Sequence, residues 1–305
     1  MDASARKPRF VAPWLDRRGR FSPLKTVVFL FLFYPGLQMA FEFVTGTIGP
    51  RPVTEVIHGT GVWSIRFLLA TLAVTPLRQI WHWGDLVHVR RMLGLASFAY
   101  ALAHLVFYAA DSHWDLGFVV SEMVLRLYLT VGTIALVLMI PLAVTSTDGM
   151  MRRLGGLRWR RLHQAVYVII ALAVVHFFME TKAVGSEPLV EGALMAWLLL
   201  WRAGNDHRVP VNASGLPFLV GLSAVVVVGT AIAEALWYKW VSNIPVDRVL
   251  PTNWQFDVLF PIDWASLPYL IRPAWIVAVM ALVVILGGVL RNYMIARRTR
   301  RLRPA

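Results

Sequence analysis

Residues Met92–Ala110 read Met-Leu-Gly-Leu-Ala-Ser-Phe-Ala-Tyr-Ala-Leu-Ala-His-Leu-Val-Phe-Tyr-Ala-Ala, an apolar run with no carboxylate, lysine or arginine and one imidazole, His104. Gln164–Met179 repeats the pattern around His176, inside Ala-Leu-Ala-Val-Val-His-Phe-Phe. A bilayer core is crossed by roughly 20 apolar residues at about 1.5 Å rise each, and a helix satisfies its own backbone in lipid. Both runs therefore read as membrane helices. An ionisable side chain inside such a helix is costly and rare, so each histidine marks a functional site.

The rest of the chain fits the same reading. Of 305 residues, 58% are apolar and 15% charged, against about 45–50% and about 25% in soluble domains. Eight segments read as helices: 26–45, 61–79, 92–110, 122–144, 163–180, 190–203, 214–238 and 273–290. The sixth is short. The expected fold is all-α, a polytopic membrane bundle. No cysteine is present, which excludes Cys-ligated iron–sulfur clusters, c-type haem attachment, thiolate zinc and disulfides. Any metal is held by His or carboxylate. The basic residues Arg6, Lys7, Arg9, Arg17, Arg18 and Arg20 lie well ahead of the first apolar run. That run is long enough to span and reads as an uncleaved anchor, not a signal peptide.

A net charge of +13 raises the question of nucleic acid, and its distribution answers it. Alternate threading of the segments gathers most Lys and Arg on one side: the N-terminus, Arg78, Arg90, Arg91, Arg152, Arg153, Arg158, Arg160, Arg161, Arg202, Arg208 and the tail from Arg291 to Arg303. The positive-inside rule then places both termini in the cytoplasm, and these residues meet anionic lipid heads. The opposite side carries Asp111, Asp115, Glu187, Glu191, Asp247, Asp257 and Asp263, with Trp63, Trp114, Trp237, Trp240, Trp254 and Trp264 as an aromatic belt. No internal repeat is visible. Every intramembrane histidine falls before residue 205, and the remainder adds two spans and a Pro/Trp-rich external loop without a titratable group of evident use.

His104 lies thirteen residues after Arg91, and His176 thirteen after His163, on two helices that both run outward. Each histidine then sits roughly 20 Å above the basic boundary. Two imidazoles at one depth suit a six-coordinate haem b that carries electrons. His163 sits at the membrane edge, roughly 140° around an ideal helix from His176. Three roles are open for it: ligand to an inner haem, contact to a cofactor headgroup, or solvated interface residue. Its level partner is Arg91 or Arg90, a poor iron ligand but a candidate cofactor contact. Arg66 and Arg126, inside the second and fourth spans, either snorkel outward or pair with haem propionates; Glu122 offers Arg126 a partner one turn away. His58, His82, His88, His113 and His207 read as solvated loop residues.

A donor site is absent. Gly59-Thr60-Gly61 continues into Val62-Trp63 and fails the dinucleotide fingerprint. Electrons must come from a separate reductase, a bound flavin or a membrane quinol, and leave to a partner, since no catalytic constellation appears.

Several motifs, in order, resemble a known family. Thr75-Pro76-Leu77-Arg78 closes the second span, and Arg90-Arg91-Met92-Leu93-Gly94-Leu95 leads to His104. Pro141-Leu142-Ala143-Val144-Thr145-Ser146 closes the fourth. Arg152-Arg153-Leu154-Gly155, Trp159-Arg160-Arg161-Leu162-His163 and Val166-Tyr167 lead to His176. Together they resemble the MsrQ (YedZ) family, haem-binding membrane subunits of bacterial MsrPQ protein-methionine-sulfoxide reductase systems, among the ferric-reductase-like transmembrane domains. The resemblance covers roughly residues 25–205. It marks 26–205 as a six-helix haem-binding core, between a basic cytoplasmic N-terminus at 1–25 and an extension at 206–305, beyond the family's usual core, with two further transmembrane helices and a basic tail. It implies haem b on His104 and His176 between the third and fifth helices, with His163 matching a third family histidine tied to haem. It further implies a bacterial inner-membrane location, electrons from quinones or from a flavin reductase through FMN, and delivery to the periplasmic molybdoenzyme MsrP. The chain itself would then be an electron conduit with no catalytic site for the sulfoxide. Two departures stand out: Arg126-Leu127-Tyr128 replaces Arg-Pro-Tyr and removes the proline that would bend the fourth span, and Leu162-His163-Gln164 replaces Leu-His-Arg. The residues alone also admit a stand-alone ferric reductase, or a transporter whose histidines line a solute or proton path.

Overall fold

The computed structural model describes residues 12–16, 19–181, 185–205, 212–254 and 271–301. The described residues form helices α1 (Pro23–Thr45), α2 (Pro52–Ile80), α3 (Arg90–Asp111), α4 (Leu116–Leu125), α5 (Leu127–Val144), α6 (Asp148–Leu154), α7 (Gly156–His163), α8 (Val166–Glu180), α9 (Ser186–Gly204), α10 (Leu216–Ser242), α11 (Val246–Val249) and α12 (Pro273–Arg301). Proline in the first turn starts α1, α2 and α10, where its missing N–H costs nothing. Left-handed residues Gly46 and Asn243 end α1 and α10. Asp115 and Thr147 cap α4 and α6 by accepting from the N–H groups of Phe118 and Met150.

Among the described residues, seven stretches are long and apolar enough to cross a membrane: α1, α2, Gly84–Asp111 containing α3, α5, Gly156–Glu180 spanning α7 and α8, α10, and α12. The chain is thus an integral membrane protein. The sixth expected span, 190–203, is present as helix α9 but is not among the seven, because its 19 residues include Glu187, Glu191 and Arg202.

Three expectations need correction. The fourth segment, 122–144, is not one helix: Arg126 is extended (φ −100°, ψ 111°) between α4 and α5. The chain therefore bends there without the proline, and the Thr130 hydroxyl bonds to the Met123 carbonyl across the break at 2.8 Å. The fifth segment does not start at His163. That residue ends α7, and Gln164–Ala165 form a turn before α8, so ideal-helix phase does not connect His163 to His176. His58 is not in a loop, because α2 begins at Pro52. His82 and His113 do lie in turns, with positive φ, and His88 in a 3-10 turn. His207, Arg208 and residues 255–270, where an external loop was expected, lie outside the described residues.

Helix α2 is the axis of the bundle: 61% of its apolar window is buried, against 6% for α1. One apolar cluster runs from Leu68 and Leu72 of α2 through Ile169 and Ile170 of α8 and Trp197 and Trp201 of α9 to Leu222 of α10 and Val277 of α12. Lipid tails are as apolar as leucine, so such packing holds by close contact and interhelical hydrogen bonds. The antiparallel pair α2–α3 shows how. Ser64 Oγ donates to the Ser97 carbonyl at 2.9 Å, and Ser97 Oγ to the Ser64 carbonyl at 2.8 Å.

Two side chains repair helices broken by proline. Pro76 cannot donate to the Leu72 carbonyl; Arg202 Nη2 does so instead, at 2.5 Å, reaching from α9. One residue past Pro35 in α1, the Tyr100 hydroxyl accepts from Gly36 N–H and donates to the Leu32 carbonyl, both at 2.9 Å, inserting into the backbone ladder. The C-terminal helices dock through indoles: Trp201 Nε1 donates to the Ala213 carbonyl, Trp197 Nε1 to Ser223 Oγ, and Trp81 Nε1 to the Val284 carbonyl beside Gly287.

Candidate functional site

The serine pair sets the register that builds the site. Two helical turns from Ser64 towards the start of α2 is Ile57, and two turns from Ser97 towards the end of α3 is His104. His104 Nδ1 donates to the Ile57 carbonyl at 2.7 Å. On the other side of the bundle, His176 of α8 donates from Nδ1 to the Tyr128 carbonyl of α5, also at 2.7 Å. In both cases the bonded carbonyl lies four residues before a glycine, Gly61 and Gly132, whose Cα faces the imidazole. The absence of a repeat in the sequence thus conceals a repeated structural device: two helix pairs, each with a histidine, a carbonyl and a glycine.

The two imidazoles face each other, with ring centroids 6.3 Å apart and planes at 86°. Nδ1 carries the proton on each ring, which leaves Nε2 with its lone pair for a metal. An iron bonded to two imidazoles at about 2 Å, with each ring centre about 1.2 Å behind its nitrogen, separates the centroids by about 6.4 Å. The spacing of the rings, with Nδ1 of each committed to a carbonyl, therefore fits an iron porphyrin held between α3 and α8. Among the described residues no group of three or more His, Cys, Asp or Glu is placed to hold a bare metal ion.

The other expected site residues are engaged elsewhere. His163 Nε2 donates to Thr145 Oγ1 at 3.1 Å and its ring stacks on Trp159 at 3.9 Å. Trp159 Nε1 in turn bonds to the Thr145 carbonyl, so the ring is tied to the end of α5. Arg91 pairs with Asp148 at 2.7 Å. Arg126 pairs with Glu122, one turn before it. Arg66 pairs through Nε with Glu191 at 2.9 Å, lies 3.5 Å from Glu187, and sits over the Trp63 ring.

Sequence reasoning passed over His58, Glu187 and Glu191. His58 Nε2 donates to Glu187 at 2.8 Å, and its ring lies beside Phe177, next in chain to His176. Glu191 is 3% exposed, with Oε1 on Arg66 and Oε2 unpartnered. A second buried carboxylate, Glu234, meets Arg272 at 3.2 Å and Asn253 at 3.1 Å in the C-terminal helices; the extension does hold a titratable cluster, which the sequence reading had not found. No local signal reveals these pairings, because each joins residues far apart in the chain.

Residues 60–174 match the family model described as the ferric reductase like transmembrane component. The chain is 40% identical over 192 residues to the protein-methionine-sulfoxide reductase heme-binding subunit MsrQ of Azospira oryzae, covering 62% of this chain and 82% of that protein. It is 42% identical to the subunit of the same name from Rhodospirillum rubrum, covering 61% and 88%, and 36% identical to that of Caulobacter vibrioides, covering 62% and 90%. No solved structure matches the chain.

Proposed function

Because the chain belongs to the MsrQ family of haem-binding subunits, we propose that it is a membrane electron conduit whose b-type haem is ligated by His104 and His176. The observation that carries this reading is the pair of facing imidazoles, 6.3 Å apart, each with Nδ1 committed to a carbonyl. A bound haem would supply one-electron transfer. The residues of the chain do the rest. The Ile57 and Tyr128 carbonyls fix tautomer and ring direction and raise ligand basicity. Arg66, on the same helix as Ile57 and with its side chain 40% exposed, lies at the end opposite the arginine-rich surface; its charge is shared with Glu191 and Glu187, so a propionate contact there competes with those carboxylates.

The arginine-rich end is the cytoplasmic face of a bacterial inner membrane, by the positive-inside rule. His163, Trp159 and Arg91 form the receiving end there, where FMN from a flavin reductase or a membrane quinol donates. The opposite end delivers electrons to the periplasmic sulfoxide reductase MsrP. Residues 26–205 are the electron-carrying unit, preceded by the basic segment 1–25, and 206–305 support it.

Purified protein should give a reducible b-type spectrum in a dithionite-minus-air difference measurement. His104→Ala and His176→Ala should each abolish the six-coordinate signal, and His163→Ala should leave it. A colourless protein from haem-replete cells would overturn the proposal. The match to a ferric reductase component supports a second reading, direct reduction of external ferric iron. Deletion of the gene separates the two: loss of sulfoxide repair with intact iron uptake favours the first, and the reverse favours the second.

A further inference from the structure

Taking His104 and His176 as the haem ligands proposed above, we infer that Gly61 and Gly132 are positioning residues that hold the two axial imidazole planes perpendicular. In an α-helix the carbonyl of residue 57 already accepts from the N–H of residue 61, and that of 128 from the N–H of 132. The imidazole is a second donor on the same oxygen, which has two lone pairs. Reaching that oxygen lays the ring against the Cα four residues on. A Cβ on residue 61 would lie 3.0 Å from Nδ1 and 3.2 Å from Cε1 of His104; on residue 132 it would lie 2.9 Å from both Nδ1 and Cε1 of His176. Neither ring can yield freely, since each is tethered by its own chain at one side and by the 2.7 Å bond at the other. An alanine therefore breaks the carbonyl bond or turns the ring.

Several other glycines meet side chains as closely, Gly204 against Phe218 and Gly185 against Trp237, but among the described residues Gly61 and Gly132 are the ones that meet an imidazole. Gly94, in the same α2–α3 contact, leaves room for a Cβ at 3.7 Å from Thr71, and Gly221 and Gly229 face open space. The carbonyls and glycines belong to different helices, α2 and α5, and each orients one ring. The result is the 86° angle between the planes. The mutual angle of two axial imidazoles governs the splitting of the iron d orbitals. Perpendicular planes give a strongly anisotropic low-spin ferric signal, and ligand orientation together with the Nδ1 hydrogen bond shifts the reduction potential.

The test uses the full-length holoprotein in detergent, with electron paramagnetic resonance of the ferric state and an optical redox titration. The parent should show the strongly anisotropic low-spin signal. Gly61→Ala and Gly132→Ala should each lower the anisotropy or convert part of the haem to a high-spin form, and move the midpoint potential. Gly94→Ala should match the parent. Parental signal shape and potential in both variants would overturn the inference, as would a parent signal typical of parallel ligands. A second measurement does not depend on those variants: His104→Gly and His176→Gly proteins filled with free imidazole keep the glycine gap but lose the tether. Retained anisotropy supports the device, and collapse to the parallel-ligand signal overturns it. A parent without haem, or His104→Ala retaining six-coordinate haem, would instead sink the ligand assignment.

Discussion

Ser64 and Ser97 donate their hydroxyls to each other's backbone carbonyls, at 2.9 and 2.8 Å, across the antiparallel pair α2–α3. Ser97 is fully buried. The reciprocal bonds allow one register of α3 on α2, and that register brings His104 to the Ile57 carbonyl. Ser97→Ala removes one interhelical bond, worth about 0.6 kcal/mol on average in membranes. Ser97→Val adds volume at a contact without space and should cost about 1–3 kcal/mol. Detergent unfolding should rank the stabilities parent, Ala, Val, with haem content following the same order. Equal stability of Ala and Val would contradict a close-packed serine pair.

The guanidinium of Arg202 takes the place of the N–H that Pro76 lacks. Arg202→Leu should strand the buried Leu72 carbonyl at a cost of about 1–3 kcal/mol. Pro76→Ala restores a backbone donor to that carbonyl. The double variant Pro76→Ala/Arg202→Leu should therefore be more stable than Arg202→Leu alone, a coupling readable in a double-mutant cycle. Additive effects would show that the two residues act independently.

Helix α1 has little buried surface, so its tilt depends on specific bonds. Tyr100→Phe removes the hydroxyl lodged between Leu32 and Gly36. The ladder of α1 should close and the helix straighten. The absence of native cysteine permits a spin-label pair on α1 and α3 without background. The inter-label distance near the start of α1 should change in the variant, while that near Gly36 stays within error.

Arg66 neutralises a buried carboxylate, Glu191. Arg66→Met alone leaves that charge unpaired, and breaking such a pair costs about 3–5 kcal/mol; the partly exposed arginine places the expected loss at the lower end of the range. Arg66→Met/Glu191→Leu removes both charges and should recover most of it. Thermal unfolding of the three proteins decides the matter. If the single and double variants are equally unstable, Arg66 contributes through its stacking on Trp63 and not through the charge pair.

The helices were legible wherever apolar runs were long and free of charge, which is why the expected segments 26–45, 92–110, 214–238 and 273–290 overlap α1, α3, α10 and α12 so closely. Misreadings fell where polar residues sit inside a helix or where a break has no breaker. His58 and Glu55 made the first turns of α2 look like loop. Leu127 gave no hint that the chain is extended at Arg126, because an interruption held by the Thr130 hydroxyl and an ion pair with Glu122 has no local signature. Of the site, the two histidines stood out through their cost in lipid, and their common depth followed from equal offsets along two parallel helices. Gly61 looked like part of a failed nucleotide motif. Its role depends on which carbonyl His104 reaches, and so on interhelical register.

The sequence by itself determined that this chain is a helical membrane protein, which end of the bundle carries the arginines, and that His104 and His176 lie at one level. These are properties of single segments: hydropathy, length and rise per residue act along one helix. Only the tertiary structure decided how the imidazoles are oriented, which charges pair, and how prolines 35 and 76 are accommodated. Those outcomes depend on the register and rotation of one helix against another. Apolar patterning leaves them open, because lipid accepts every face of an apolar helix, and a few serine, tyrosine, arginine and histidine bonds choose among the packings that remain.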